Sequence, residues 1–334
     1  MGNTAKKVRS AIRSLTPELL HPIGTRVKGT LRWPWSYPAA ERTLRRKAIN
    51  PTTFTQKTYY KMAYDRRPVL TTLADKVGVR RFIQERIGEG YLSEIYDVCE
   101  VLPDTRPRGL PRNFVVKANH SSGAAVIVWD EAPHKQLPSD LRKINWQRFL
   151  VHPETLDWDR LRKLADKWVH QNYFWEPGRL PEWAYQNIPP QVMFEELLVD
   201  VRAGLPSDYK FFMFDGECHM IQHDLSRFSG HLRDIYSPTW ERLPVQFLYE
   251  NSREGSQPPN SLEEMLRIAH ALSEGLDFVR VDLYETNKGI RFGEMTNYPE
   301  AGSGRFKPSG FDNWLGSKWQ LPGSKLVRPE KIRE

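Results

Sequence analysis

The chain has 334 residues, 39% hydrophobic and 27% charged, which is apolar surface for one large or two ordinary domains and excludes a disordered composition. The net charge of +8 is unevenly placed: residues 1–50 hold eleven Lys/Arg against two Asp/Glu, so the other 284 residues sum to −1. The basic character belongs to an N-terminal arm, which speaks against a specific nucleic-acid-binding body. Such an arm can pack on the protein itself or touch an anionic membrane, nucleic acid or an acidic polymer.

Cys99 and Cys218 lie in different segments, without CxxC or Cys/His ligand spacing. That argues against a disulfide framework or a zinc site and fits a reducing compartment. No apolar run approaches the length that crosses a bilayer, and the basic N-terminus is not followed by the apolar stretch of a secretory signal. The expectation is a cytoplasmic protein whose arm could meet the inner face of the membrane.

In chain order, residues 1–50 read as a loosely structured arm with short helices. Residues 53–66 and 73–87 carry apolar stripes at helical spacing. From residue 113 the period changes. Phe114–Lys117 and Ala124–Trp129 read as strands around the turn-rich Asn119-His120-Ser121-Ser122-Gly123. Residues 136–185 read as helical, and Gln191–Phe194 as another strand. Tyr209–Phe214 and Glu217–Gln222 flank Asp215-Gly216, a strong hairpin signal. Residues 262–274 read as a helix, and Phe278–Tyr284 with Ile290–Met295 as a second hairpin. The Gly/Pro-rich segment 298–334 is expected to wrap back over the body.

The second hairpin carries the most information. With Asn287-Lys288-Gly289 as a three-residue loop, Thr286 faces Ile290, Tyr284 faces Phe292, Asp282 faces Glu294 and Arg280 faces Thr296. Side chains alternate faces along a strand, so Arg280, Asp282, Glu294 and Thr296 share one face and Val279, Val281, Leu283 and Met295 the other. Two carboxylates facing each other destabilise a sheet by roughly 0.2–1 kcal/mol. A divalent cation reverses that sign, and magnesium is commonly held by one or two carboxylates plus phosphate oxygens. The alternative is a polar solvent face whose carboxylates splay apart.

Weaker signals precede it. Lys117 ends a very apolar strand, where lysine is rarely unpartnered. Ser121, Ser122 and Gly123 then offer backbone N–H groups that can approach phosphate. Lys76 follows Asp75 at a helix start, Glu195-Glu196-Leu197-Leu198 follows a short strand, and Asp208-Tyr209-Lys210 opens the first hairpin. Lys210 would share a face with Phe212 and Phe214. His120, His219 and His223 read as structural or surface histidines.

The order of these pieces resembles the ATP-grasp superfamily and, more narrowly, the TupA-like ATP-grasp family, named for teichuronopeptide biosynthesis. The matching stretches are Ala74-Asp75-Lys76 with Val79-Arg80, Phe114-Val115-Val116-Lys117-Ala118-Asn119-His120, Asp208-Tyr209-Lys210-Phe211, Val281-Asp282-Leu283-Tyr284 and Phe292-Gly293-Glu294-Met295-Thr296. The resemblance implies an α+β ATP-grasp fold, two subdomains gripping ATP between antiparallel sheets. The segments would be a basic arm (1–50), a helical subdomain (51–112), a flap subdomain (113–198), a C-terminal subdomain with the metal site (199–316) and a tail (317–334).

It further implies ATP and Mg2+ as cofactors. Lys76 and Lys117 would contact the phosphates, Ser122 and Gly123 the flap over them. Glu195, Glu196 and Leu197 would run along the adenine, Asp208 would meet the ribose, and Lys210 a phosphate or the acyl group. Asp282 and Glu294 would ligate the metal, with Thr296 or Asn297 as third ligand, and Arg280 would stabilise the transferring phosphoryl. Arg305, on the loop after the metal strand, could pair with the acceptor or the activated carboxylate. The implied activity is ATP-dependent ligation of a carboxylate donor to an amine acceptor in cell-surface polysaccharide biosynthesis, these partners being sugar- or amino-acid-derived. A phosphotransferase or other transferase on the same site, or a non-catalytic nucleotide- or polysaccharide-binding protein, is the alternative.

Overall fold

The computed structural model describes residues 33–200, 204–225 and 230–322. Four helices come first: α1 (Trp33–Lys47), α2 (Phe54–Tyr64), α3 (Pro68–Ala74) and α4 (Val79–Ile87). The periodicity over 53–66 is one helix, opened by a capping box in which Thr53 and Gln56 satisfy each other's free N–H groups. The periodicity over 73–87 is broken between Ala74 and Val79. There Asp75 accepts from the Val77 N–H at 3.0 Å, and Lys76 sits in the break. The arm expected over residues 1–50 is helical over Trp33–Lys47; Leu44 and Ala48 are buried with Tyr59, Met62 and Tyr298, and residues 1–32 lie outside the described part.

Two five-stranded sheets follow. The first has the order β1 (Ile95–Cys99), β5 (Val192–Glu195), β2 (Phe114–Ala118), β3 (Ala125–Val128), β4 (Arg148–Val151), antiparallel except for β3 with β4. The second is wholly antiparallel, in the order β11 (Gly289–Thr296), β10 (Phe278–Thr286), β6 (Asp208–Phe214), β7 (Glu217–Leu225), β8 (Leu232–Tyr236). A small pair joins β9 (Gln246–Phe247) to β12 (Phe306–Lys307).

Each large sheet buries one face under a helix. Phe114, Val116, Val126, Val128 and Phe194 pack on Leu161, Leu164, Ala165 and Trp168 of α5 (Trp158–Val169). Phe211, Met213, Val279, Val281 and Leu283 pack on Met265, Ile268, Ala269 and Leu272 of α6 (Leu262–Ser273). A large apolar side chain contributes roughly 1.5–3 kcal/mol when buried, so these faces hold each helix in place. Phe212, Phe214 and Phe278 join Phe54 and Trp319, which brings α2 and the segment after α7 (Gly310–Ser317) onto the far end of the second sheet. Lys210 shares its strand face with Phe212 and Phe214, but it stands at the open end where the aromatic cover stops.

The helical reading of residues 136–185 fails outside α5. Arg148–Val151 is a strand, and Leu141–Lys143, Pro153–Thr155, Tyr173–Trp175 and Trp183–Tyr185 are single 3-10 turns. Pro138, Pro153, Pro177 and Pro181 break any longer helix, and Trp146 and Tyr173 are buried from loops that lie over the sheet. Strands β1, β4, β8, β9 and β12 carried no clear alternation in the sequence.

The second hairpin has a different register from the expected one. Thr286 pairs with Gly289 across a two-residue turn, and Leu283 pairs with Phe292. A bulge at Gly293 then restores the pairs Asp282–Glu294 and Arg280–Thr296. The expected pairs Thr286–Ile290 and Tyr284–Phe292 are therefore replaced, whereas the two functional pairs stand. A Cβ on Gly293 would come within 2.8 Å of the Tyr284 ring and 3.1 Å of the Asp282 carbonyl oxygen, so the bulge requires glycine.

Candidate active site

The two sheets face each other across a cleft. On the second sheet, Asp282 is almost wholly buried and takes Lys210 Nζ at 2.6 Å from the neighbouring strand. Arg280 reaches along its own strand, donating to Asp282 at 2.7 and 2.8 Å, to Glu294 Oε1 at 2.8 Å and to Thr296 Oγ1 at 2.9 Å. Thr296 in turn donates to Glu294 at 3.1 Å. The positive charge between the two facing carboxylates is thus the Arg280 guanidinium, with Lys210 beside Asp282. Lys210 also lies 3.5 Å from Asp208 and 4.0 Å from Asp224.

The two carboxyls are not equivalent. Burial is the largest influence on Asp282 and holds it above the ordinary carboxyl range, against the pull of Arg280 and Lys210. Glu294 opens to the cleft, with 37% of its side chain exposed. Burial pushes its carboxyl up, but Arg280, Lys210, Lys76 and Arg148 outweigh that and hold it well below the usual range. Glu294 is the charge offered to an incoming cation. The donor set fits magnesium: two carboxylates on one wall of a cleft, one of them open.

The opposite wall comes from the first sheet and the loop after β2. Lys117 pairs with Glu195, whose other oxygen accepts from Ser93 Oγ at 3.3 Å. Glu196 takes Lys288 from the hairpin turn of the second sheet, tying the two walls together. Lys76 donates to the Ser121 carbonyl, and burial pushes its ammonium down to about 8. The expected flap has one glycine, and it is needed: Gly123 has φ +100°, and a Cβ there would lie 2.6 Å from the Trp146 carbonyl oxygen. His120 is buried beneath, its Nε2 3.0 Å from the Trp168 carbonyl oxygen, and burial holds it down to about 4.

Lys76, Lys117, Gly123, Glu195, Glu196, Leu197, Lys210, Asp282 and Glu294 all line this cleft, beside the apolar Val115 and Ile127. A second cavity of about 560 Å³ adjoins it and shares Arg148, Lys210 and Glu294 with it; Ser122, Arg280 and Thr296 line this second space.

Three expected residues stand elsewhere. Asp208 is fully buried behind Lys210 and lines neither cavity. The Asn297 side chain turns into the core and donates to the Leu70 carbonyl at 2.8 Å, so of the two expected third ligands Thr296 shares the carboxylate face. Arg305 is exposed and lines neither space.

Sequence reasoning missed Arg148, Glu182, Asp224 and Arg233. Arg148 opens β4, which was read as helix. Asp224 holds Arg233 at 2.6 Å, and Arg233 reaches Glu300 at 3.1 Å; the strand carrying Arg233 gave no signal. Glu182 immediately precedes a single 3-10 turn among prolines, where no periodicity exists to read.

The sequence matches the family model for TupA-like ATP-grasp proteins over residues 56–320. No curated protein matches it. Among solved structures it resembles a D-alanine–D-alanine ligase from Bacillus anthracis complexed with ATP, at 14% identity over 77% of this chain and 62% of that one, TM-score 0.38. It also resembles the ATP-grasp ligase PsnB with a phosphomimetic precursor variant, Mg and ADP, at 12% identity over 92% and 77%, TM-score 0.34. A third is a Chryseobacterium gregarium RiPP-associated ATP-grasp ligase with ADP and a leader and core peptide, at 10% identity over 85% and 69%, TM-score 0.32. The chain spans less than two thirds of the length of the Bacillus anthracis ligase. The family match, covering most of the chain, establishes that this protein belongs to the TupA-like ATP-grasp family.

Proposed function

We propose that the protein is an ATP- and Mg-dependent ligase that joins a carboxylate to an amine through an acyl phosphate. The observation that carries this reading is the linked group Lys210, Asp282, Arg280 and Glu294, of which Lys210 and Glu294 line both the nucleotide cleft and the second cavity. A phosphoryl group leaving ATP at that group enters the second cavity with cations on hand. Leu197, Val115 and Ile127 offer apolar contact for the adenine. Lys76, Lys117 and the Gly123 turn would take the phosphates. Asp282 and Glu294 would hold magnesium, which supplies neutralisation of phosphate charge when bound, and Thr296 orients Glu294.

The donor carboxylate oxygen attacks the γ-phosphorus, and ADP leaves with the electron pair of the broken P–O bond. The amine then displaces phosphate. Such chemistry needs positioning and charge stabilisation more than acid–base work by the protein. The family resemblance supports a setting in cell-surface polysaccharide or peptide–polysaccharide biosynthesis, on the cytoplasmic side. No helix among the described residues is long and apolar enough to cross a membrane.

The test is ADP release against amino acids, amino sugars and uronic acids, with products read by mass. A ligase product has lost one water between two substrates. A stable phosphorylated product instead identifies a phosphotransferase, and ATP binding without turnover a binding protein.

A further inference from the structure

The second cavity holds an acid that the proposed phosphoryl chemistry does not use. Glu182 is 6% exposed and lines the cavity together with Tyr173, Tyr185 and Tyr298. Its ion-pair contact is Arg179, 4.0 Å away and beyond hydrogen-bond reach, from a side chain 46% exposed. The buried Tyr173 hydroxyl is turned towards the Glu182 carboxylate. The Tyr173 and Tyr185 rings meet edge to face at 4.8 Å, and the Arg179 guanidinium stands 4.8 Å from the Tyr173 ring centre. A buried carboxyl costs several kcal/mol unless a cation or donors complement it. Here, among the described residues, no cation stands within hydrogen-bond distance of the carboxylate, and the Tyr173 ring already attracts one cation.

We propose that the Glu182 end of this cavity is the acceptor subsite and takes a primary ammonium group, on the Glu182 carboxylate and among the rings of Tyr173, Tyr185 and Tyr298. The assignment rests on the ligase reading and gives it a residue for the second half-reaction. The bound ammonium passes one proton to the Glu182 carboxylate. The freed nitrogen attacks the acyl carbon, the N–C bond forms, and the C–O bond to phosphate breaks with its electron pair leaving on phosphate, which takes the second nitrogen-bound proton as it departs. The proton on Glu182 returns to water after product leaves. Glu294 and Arg280, on the opposite wall, place the acyl phosphate within the same space. Burial pushes the Glu182 carboxyl up to about 7, against the pull of Arg179 and Tyr173, with Glu294 and Glu300 adding to the rise. A carboxyl in that range can both take and release a proton near neutral pH.

The experiment compares the wild-type full chain with Glu182→Gln and Tyr173→Phe. Glucosamine and alaninamide serve as acceptors, and a panel of amino acids and uronic acids as donors, in the presence of ATP and magnesium. Hydroxylamine is the control nucleophile: it is uncharged at neutral pH, needs no proton removed before it attacks, and traps an acyl phosphate as a hydroxamate. ADP binding reports folding. For Glu182→Gln, the expected result is wild-type hydroxamate yield and ADP binding, with the KM for the amine raised about tenfold or more, as loss of one charge-assisted contact implies. Tyr173→Phe moves the amine KM less and leaves hydroxamate unchanged. A wild type that forms hydroxamate, beside a Glu182→Gln that uses the amine with wild-type KM, overturns this assignment alone. A wild type that forms no hydroxamate with any donor overturns the ligase reading and this assignment with it.

Discussion

The two walls of the cleft are built from sheets of equal strand number and opposite character. The first sheet presents Val115, Ala125 and Ile127 with one lysine–glutamate pair, Lys117 and Glu195, and with Arg148 on its edge strand. The second presents a continuous ion network from Glu294 and Arg280 through Asp282 and Lys210 to Asp224 and Arg233. A largely apolar wall with a tight glycine turn suits a flat base and a phosphate tail. A charged wall with every group fixed by its neighbours suits a transition state, because preorganised charge costs nothing to arrange at the moment of reaction. Binding and chemistry are therefore expected to divide between the sheets.

Substitution on each wall tests that division most strongly. Asp282→Ala and Glu294→Ala are expected to lower magnesium-dependent kcat by about 10²–10³-fold, the scale for removing one electrostatic group from a reacting site. Lys117→Ala should instead raise the KM for ATP by about tenfold with a smaller change in kcat, the mark of lost ground-state binding. Equal loss of kcat on both walls would end the comparison.

Acid reaches both halves alike. His120 beside the flap and His223 on β7 are both buried and held down to about 4, in each case chiefly by burial. The unfolded chain protonates its histidines near pH 6.5, so below that pH the unfolded state binds the extra proton. Stability is present above about pH 6.5 and falls as the pH drops towards 4, by of order 3 kcal/mol per histidine. Urea midpoints at pH 7 and pH 4.5 measure it. His120→Gln and His223→Gln should each flatten part of the slope.

Gly123→Ala is a smaller effect confined to the flap. The left-handed backbone costs a side chain roughly 1–2 kcal/mol, and contact with the Trp146 carbonyl forces the turn to move. Thermal melting should drop by a few degrees and the KM for ATP should rise, with kcat on the opposite wall nearly kept. The smallest effect is expected at Arg305, which is exposed and away from both cavities. Arg305→Ala should leave turnover within about twofold, as surface substitutions commonly do.

The charged wall was largely legible in the sequence. Alternation along a strand is a strict rule, and the Asp-Gly turn and the twelve-residue spacing of Asp282 and Glu294 put Lys210 and both acids on strands that could be identified. The family resemblance ordered the weaker pieces. What stayed hidden lies in the first sheet and its cover. Arg148 was lost because a four-residue parallel strand inside a proline-punctuated stretch has too little period to detect. Glu182 was lost because a single 3-10 turn has none. Asn297 shows a different limit: chemistry favoured it as a ligand, but its neighbour on the core side decided where it points.

The glycine bulge in β11 has a consequence for how this hairpin can change length. With the two-residue turn alone, Glu294 would fall opposite Val281 and join the core face. The extra residue at Gly293 corrects the parity. A homologue that lengthens the turn by one residue must therefore lose the bulge, and one that deletes the bulge must lengthen the turn, if the two acids are to stay opposed. Turn and bulge are free to drift only as a pair. A length change in either one alone is the sequence mark of a descendant that has given up this site.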